Sequence, residues 1–220
     1  MKNIEKLIRE RHSVRNYLEK SIEDEKVKEL NKLIDEINKE NDLNIQLMLN
    51  DDIFDKLIFS YGFIKGCNNY IAMIGKNSDD LEEKLGYNGE KIVLKAQELG
   101  LNTCWVGGTY KKRSVRAKIK SDEKMVCVIA IGYGATSGNP RKSKSIEDIA
   151  VTKDYPDWFK RGVEFALLAP TALNSQSFKF EYIDEDHVKA HVGKTHLAKV
   201  DMGIVKYHFE LGADKTINWL

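Results

Sequence analysis

Three side chains near the start of the chain have the types and spacing of an anion site. Arg11, Ser13 and Arg15 alternate within the string RHSVR at residues 11–15. In an extended stretch, alternate side chains share one face. A guanidinium group offers a rigid fork of donors that suits a phosphate, whereas a lysine is only a point charge. The string therefore predicts either a phosphate site or a solvated turn after a helix.

A second polar string, APTALNSQ at residues 169–176, offers a different chemistry. The amides of Asn174 and Gln176 carry both donors and acceptors, which suit the mixed polar edge of a heterocycle. Pro170 disfavours helical geometry in the residue before it, so a loop is expected here. Taken alone, the string is equally typical of a polar loop between a helix and a strand.

The string NTCWVGG at residues 102–108 combines a thiol with paired glycines. Gly107 and Gly108 would let the backbone approach a flat ring closely. Cys104 could act as a nucleophile, but the sequence offers no evident partner base. A small buried core residue is the favoured interpretation of Cys104.

Two further clusters favour a solvated surface over a site. His187, Lys189 and His191 share one face of a predicted strand near His196, but no acid or cysteine completes a ligand set, so no metal is predicted. The basic run at 111–120 lacks the interleaved aromatic residues of a nucleic-acid surface. It is interpreted as a solvated helix face that could still attract an anionic dinucleotide.

Composition excludes several classes of partner. The net charge is +1, so no large electrostatic field indicates a nucleic-acid or membrane partner. No apolar run approaches the roughly 20 residues needed to span a bilayer, and no signal peptide is visible. Cys67, Cys104 and Cys127 are an odd number without motif spacing. Reduced thiols and a cytoplasmic location are expected.

Apolar spacing indicates which elements position these residues. It predicts helices at 2–10, 23–39, 89–99, 112–119, 158–168 and 203–212, and strands at 44–49, 70–74, 125–131, 178–183 and 187–192. The continuous apolar run at 125–131 predicts a central strand buried on both faces. Gly100 is expected to cap the third helix and Asp157 to begin the fifth as its N-cap. Composition predicts an N-terminal half at 1–134, a linker at 135–156 and a C-terminal half at 157–220.

Together the strings resemble those of the nitroreductase family, whose members bind flavin mononucleotide (FMN). RHSVRNY at 11–17 is similar to the family's N-terminal motif, and LGLNTCWVGG at 99–108 resembles its Leu-Gly-Leu-Gly-Thr-x-Trp-Ile-Gly-Gly stretch. The strand to Gly134, followed by Pro140-Arg141-Lys142, resembles the family's strand, Gly-Tyr and late basic residue. The string at 169–176 resembles its flavin-ring segment, and the likeness extends from about residue 4 to 212.

The chain also departs from the usual pattern. Ser177-Phe178 stands where the family has Pro-Trp, and Ser21-Ile22 stands where it has Pro-Ile. The flavin-ring string lies in the C-terminal half, as in a divergent branch in which one chain mimics the usual dimer. This resemblance implies one FMN per chain, in a cleft between residues 1–134 and 157–220. A pseudo-dimeric monomer is favoured, with a homodimer as the alternative.

The resemblance further implies an α+β fold with a mainly antiparallel sheet sandwiched by helices. Arg11 and Ser13 would hold the phosphate and ribityl chain, Arg15 would lie near the N1–O2 edge, and Arg141 would be a second phosphate ligand. The complete implied set of cofactor-binding residues is Arg11, His12, Ser13, Arg15, Gly107, Gly108, Arg141, Pro170, Thr171, Ala172, Asn174 and Gln176.

The implied activity is hydride transfer from NADH or NADPH through flavin N5 to a nitroaromatic, a quinone or a similar small-molecule electron acceptor. No catalytic side chain is required, since the cofactor carries the chemistry. Two alternatives stay open. One is a non-catalytic FMN carrier or sensor, and the other is a flavin-free relic with an interaction role.

Overall fold

The computed structural model describes residues 2–54, 64–138 and 142–220, with side chains from residue 4 onward. Its contacts divide the chain into two compact units that alternate along the sequence. The first unit comprises Met1–Glu10, Glu82–Glu90 and Arg141–Leu220, and the second comprises Arg11–Leu81 and Lys91–Pro140. The string at 11–15 therefore belongs to the second unit and the string at 169–176 to the first.

A four-stranded antiparallel sheet with the order β1-β2-β4-β3 forms the second unit. Its strands are β1 (Gln46–Met48), β2 (Tyr70–Lys76), β3 (Asn102–Val106) and β4 (Glu123–Gly132). β4 lies between β2 and β3, and its consecutive residues Val128, Ile129 and Ala130 are fully buried. Because such a run is typical of a strand covered on both faces, it accounts for the central position of β4. The predicted central strand is confirmed.

Among the residues that the structure describes, two α-helices also contribute to this unit. The first, α2 (Asp24–Asn41), buries Leu30, Ile34 and Ile37, which form a stripe at helical spacing. The second is the later half of α3 (Leu81–Glu98), a helix that contributes residues to both units. Gly100 follows α3 with a φ of 74°, and its N–H donates to the carbonyl of Gln97. This left-handed position favours glycine, so the predicted cap is confirmed.

The predicted helix at 112–119 is wrong. Only Lys112–Ser114 form a short 3-10 turn. Beyond it, the Gln46 side-chain amide accepts from the Lys118 N–H at 2.9 Å and donates to the Lys118 carbonyl at 2.7 Å. A helix would pair these backbone groups with its own residues, so the bonds to a β1 side chain replace helical pairing. Sequence spacing could not reveal this long-range competition.

The first unit combines helices with a small sheet. Its further helices are α1 (Lys2–Glu10), α4 (Ile146–Ile149), α5 (Asp157–Ala166) and α6 (Ala198–Ala213). Its strands are β5 (Phe178–Tyr182), β6 (His187–Val192) and β7 (Asn218–Trp219), in the order β5-β6-β7. β5 and β6 are antiparallel neighbours, which confirms the strands predicted at 178–183 and 187–192, while β7 pairs in parallel with β6.

Aromatic rings form the core of the first unit. Phe159, Phe180 and Phe209 are fully buried, and the Phe209 ring centroid lies 5.4 Å from Phe159 and 4.9 Å from Phe180 in edge-on pairs. Such pairs contribute about 0.5–1.5 kcal/mol beyond their burial. A Cβ atom at Gly162 of α5 would lie 2.7 Å from the Phe209 ring. The glycine therefore allows α5 and α6 to pack closely around this ring.

Glycines also allow close contact between α6 and the first half of α3. A Cβ atom on Gly203 would overlap the carbonyl oxygen of Glu83, and one on Gly86 would overlap that of Val200. Neither position has room for a larger side chain. The backbones at this crossing touch directly, which fixes the position of the first turns of α6.

A buried polar pair lies farther along the same crossing. Glu90 and His208 are both fully buried, and Glu90 Oε1 lies 2.9 Å from His208 Nε2. The other ring nitrogen, Nδ1, lies 3.2 Å from the carbonyl oxygen of Phe165. Since buried polar groups are costly without partners, these contacts hold α3, α5 and α6 in one arrangement.

Helices with mainly antiparallel sheets confirm the predicted α+β class. The predicted N-cap is wrong, because Asp157 is the first helical residue and the extended Pro156 precedes it. The predicted linker at 135–156 includes α4 and contains the change of unit at Pro140, but its boundaries stay a prediction. Across the described residues, none of the helices has the length and apolar character to cross a membrane.

Candidate functional site

The string at 11–15 runs beside β3. Ser13 forms a parallel bridge with Thr103, and the Val14 N–H donates to the Thr103 carbonyl at 3.1 Å. Val14 is fully buried and anchors the stretch in the core. Arg11 is 4% exposed, whereas Arg15 is exposed. The stretch thus presents one buried and one exposed guanidinium group.

The two arginines and Ser13 act on Cys104, the third residue of β3. Burial raises the pKa of the Cys104 thiol, while the charges of Arg15 and Arg11 and a hydrogen bond from Ser13 act in the opposite direction. The structure therefore brings together two strings that lie about 90 positions apart in the sequence. A buried thiol with a raised pKa is protonated at neutral pH, which favours a core role over a nucleophile.

Tyr17 and Cys67 are buried residues that interact with Cys104 of this cluster. The Tyr17 hydroxyl donates to the carbonyl of Ala130 at 3.4 Å, and burial raises its pKa, assisted by Cys67 and Cys104 and opposed by Arg15. Burial raises the pKa of Cys67 to about 11. The aromatic at position 17 was part of the motif, but no spacing rule in the sequence could have placed Cys67 beside it.

The glycines after β3 leave their backbone open. A Cβ atom at Gly108 would meet no atom within 4 Å, and the neighbouring Gly107 is partly exposed. At the end of the same unit, a Cβ at Gly138 would lie 2.8 Å from the Cβ of His12. His12 therefore packs against this late loop, in the same unit as Arg11 and Ser13. Arg141, the predicted second phosphate ligand, lies outside the described residues.

The string at 169–176 forms a tightly bonded loop between α5 and β5. Gln176 is only 2% exposed, and its side-chain amide accepts from the Lys144 N–H at 2.7 Å and donates to the Leu167 carbonyl at 3.4 Å. The Asn174 amide donates to the carbonyl of Lys142 at 2.7 Å. Both amides thus bond to backbone of the first unit, and this geometry favours a role in shaping the loop.

The first residues of that loop are more accessible. Pro170, Thr171 and Ala172 are partly exposed, and the Thr171 hydroxyl accepts from the Gln176 N–H at 3.1 Å. Leu173, at the tip of the loop, is 83% exposed. The accessible side chains of the loop therefore extend from Pro170 to Asn174, and Leu173 and Asn174 are the most exposed of them.

Asp201, which the sequence did not single out, holds the centre of the loop. It is 7% exposed, and its two carboxylate oxygens accept from the Ala172 N–H at 2.9 Å and 3.1 Å. Burial raises the pKa of Asp201 to about 6, and the bond from Ala172 acts in the opposite direction. A buried carboxylate with a shifted pKa is a common feature of functional sites.

The other candidate clusters have local partners. His187 lies 2.8 Å from Asp184, and His191 lies 3.0 Å from Glu181. No group of three or more potential metal ligands occurs among the residues whose placement is described. In the basic run, Arg116 lies 3.4 Å from the buried Asp51. Carboxylates thus neutralise part of the charge that these clusters carry.

The comparisons with known proteins agree with this architecture. A family model described as "Putative TM nitroreductase" matches residues 3–213. A solved "putative nitroreductase" from Thermotoga maritima is 26% identical with a TM-score of 0.61, and the match covers 95% of this chain and 82% of that one. No curated protein matches the chain.

Two other solved structures share the fold. A "putative NADH dehydrogenase/NAD(P)H nitroreductase" from Bacteroides thetaiotaomicron is 22% identical with a TM-score of 0.52, covering 70% of this chain and 98% of that one. A "putative nitroreductase in complex with FMN" from Desulfovibrio desulfuricans is 19% identical with a TM-score of 0.53, also covering 70% and 98%. The family match over nearly the whole length confirms the resemblance seen in the motifs, and the chain belongs to the nitroreductase family that this model describes.

Proposed function

We propose that the protein is an FMN-dependent oxidoreductase that takes hydride from NADH or NADPH and reduces a nitroaromatic, a quinone or a similar small acceptor. The observation that carries the proposal is the cluster of Arg11, Ser13 and Arg15 beside Cys104 of β3, within a chain of the nitroreductase family. The FMN in the Desulfovibrio structure of the same fold supports the choice of cofactor.

The donors of this cluster fit a phosphate and a polar chain. Arg11 supplies a buried guanidinium group, Ser13 a hydroxyl and Arg15 an exposed guanidinium group. Guanidinium groups bind phosphate oxygens with paired, charge-assisted hydrogen bonds. Arg11, His12 and Ser13 would hold the phosphate end of FMN, with Arg141 as a proposed second phosphate ligand.

Arg15 would lie at the polar N1–O2 edge of the ring, where a fixed positive charge favours electron density. When bound, FMN supplies the redox chemistry by accepting hydride at N5 and passing electrons on. The open space at Gly108 and the partly exposed backbone of Gly107 would permit close approach of the ring. No side chain of the protein is proposed to act as an acid, base or nucleophile.

The loop at 169–176 would provide the other contacts to the ring. Pro170, Thr171 and Ala172 are partly exposed and precede the exposed tip at Leu173, and they are the proposed direct contacts. Asn174 and Gln176 would act by shaping the loop, because their amides already bond to the carbonyl of Lys142, the N–H of Lys144 and the carbonyl of Leu167. The proposed stoichiometry is one FMN per chain, in a cytoplasmic pseudo-dimeric monomer, with a homodimer as the alternative.

The experiment is a titration of apoprotein with FMN, followed by flavin absorbance and fluorescence. Arg15→Ala should weaken FMN binding by about tenfold or more, since hydrogen bonds to charged groups contribute about 1.5–3 kcal/mol. It should also slow reduction of the bound FMN by NADH.

Arg9→Ala is the matched control, because Arg9 pairs with Glu5 at 2.9 Å within α1 and is not a proposed ligand. This control should bind FMN like the natural protein. Unchanged FMN affinity and reduction rate in Arg15→Ala would refute the assigned role of Arg15.

A further inference from the structure

The loop at 169–176 has a strained backbone for its residue types. Leu173, Asn174 and Gln176 have φ values of 54°, 52° and 45°, all in the left-handed region. Non-glycine residues adopt this region at an energetic cost, and the conformation persists only where surrounding contacts impose it. The shape of the loop therefore depends on the bonds that hold it.

Two sets of these bonds lie at the ends of the left-handed stretch. At its C-terminal end, the buried Gln176 amide bonds to the Lys144 N–H and the Leu167 carbonyl. Just before the first left-handed residue, the Ala172 N–H donates to both carboxylate oxygens of Asp201. Asp201 lies in the first turn of α6, whose position is fixed by the close crossing with α3. A rigid helix thus carries the carboxylate that holds the loop.

We propose that Asp201 is a positioning residue whose ionised carboxylate holds the loop at 169–176 in the shape that receives the flavin ring, so that FMN binds more tightly when Asp201 is ionised. This inference rests on the proposed function, since it assigns the loop to the flavin. It adds Asp201, which lies 25 positions beyond the motif. The proposed role of Asp201 does not require it to contact the ring.

The surroundings of Asp201 make its ionisation sensitive to pH. The loop itself has no titratable side chain. The charged and titratable groups on the adjoining elements include Lys199 on α6, the pairs Glu83–Lys206, Tyr87–Glu210 and Glu90–His208 between α3 and α6, Arg161 and Glu164 on α5, and Lys142 and Lys144 beside the loop. Within the described residues, burial is the largest cause of the shift and no charged side chain contributes to it, so the pKa of about 6 lies within an accessible pH range.

Protonation should loosen the loop without unfolding the protein. A protonated carboxyl still offers one acceptor oxygen, but the bond from Ala172 loses its charge assistance. Bonds to charged groups exceed neutral ones by enough to change affinity about fivefold. FMN binding should therefore weaken by about fivefold as the pH falls from 7.5 to 5.

The test measures FMN affinity from pH 5 to 8 for the natural protein, Asp201→Asn and the control Asp157→Asn. Asp157 is an exposed acid of α5 in the same unit, outside the proposed site. The FMN phosphate also titrates near pH 6. Each FMN affinity is therefore divided by that of Asp201→Asn at the same pH, and the measurement is repeated with riboflavin, which lacks the phosphate. A nitrogen-15 NMR titration of the Ala172 N–H in the apoprotein gives a readout that needs no flavin.

The expected result is that FMN affinity, expressed as the ratio to that of Asp201→Asn at the same pH, falls about fivefold from pH 7.5 to 5 in the natural protein and in Asp157→Asn. The Ala172 N–H should titrate near pH 6 only where Asp201 is present. FMN binding with the same pH dependence in all three proteins would overturn the role of Asp201 while leaving the proposed function intact. Absence of FMN binding by the natural protein at every pH would overturn both, whatever the Ala172 titration shows.

Discussion

Replacing Asp201 by asparagine should stabilise the folded protein at neutral pH. Burial raises the pKa of Asp201 from its ordinary 3.8 to about 6, a difference of roughly 2 units. Each unit corresponds to about 1.4 kcal/mol, so the ionised carboxylate costs the folded state about 3 kcal/mol. Asparagine removes this cost but replaces one of the two accepting oxygens with an amide donor that faces the Ala172 N–H, which offsets about 1–2 kcal/mol. The net expected gain is about 1–2 kcal/mol.

The sign of the effect fixes its pH dependence. The folded state binds the proton of Asp201 more tightly than the unfolded state does, so the cost appears as the pH rises from about 4 to about 6 and is complete above that window. Urea unfolding of both proteins at pH 7.5 and pH 4.5 measures the difference, and the comparison cancels the other titrating groups. The gap in favour of Asp201→Asn should shrink or reverse at pH 4.5.

Two outcomes would refute this reasoning. One is an Asp201→Asn protein that is less stable than the natural protein at pH 7.5. The other is a difference in unfolding free energy that is the same at both pH values. A more stable protein that binds FMN more weakly would instead show that the carboxylate is kept for function at a cost in stability.

Three further predictions concern the packing and the hydrogen bonds. Gly203→Ala should lower the unfolding free energy by about 3 kcal/mol, since its Cβ would overlap backbone of α3, whereas Gly108→Ala should change it by less than about 0.5 kcal/mol; equal effects in thermal melts would contradict the close crossing. Glu90→Ala should cost about 3–5 kcal/mol by leaving the buried His208 without its carboxylate, and Glu90→Gln should cost less in chemical denaturation; a harmless Glu90→Ala would argue against the pair. Gln46→Ala should speed exchange of the Lys118 N–H by about tenfold, and unchanged exchange would reject the side-chain bonds that replace the helix.

The sequence was sufficient to predict elements whose structure depends on neighbouring residues alone. The apolar run of β4 and the left-handed Gly100 follow from burial and from backbone sterics, and both were predictable. The helix at 112–119 was not, because its backbone pairs with the side chain of Gln46 about 70 positions earlier. The apolar periodicity of a segment does not reveal a distant side chain that competes for its backbone hydrogen bonds.

The contacts within the candidate site were also beyond what the sequence alone could predict. The strings at 11–15 and 169–176 predicted a set of site residues, but not the contacts that those residues make. Gln176 was expected to line a ring, yet it is buried and bonds to the N–H of Lys144. Asp201 lies before the start of the helix predicted at 203–212, and only the fold brings it to Ala172, 29 positions away. Long-range hydrogen bonds to backbone carry no sequence signature.

The central claim is that this chain binds FMN and passes electrons from a nicotinamide through it. The most direct measurement is the visible spectrum of protein reconstituted with FMN, recorded without oxygen before and after addition of NADH or NADPH, and again after a quinone or nitroaromatic is added. We expect one bound FMN per chain. Its shifted visible spectrum should bleach when the nicotinamide is added and return when the acceptor is added. Bound flavin that does not bleach, or no bound flavin at all, would contradict it.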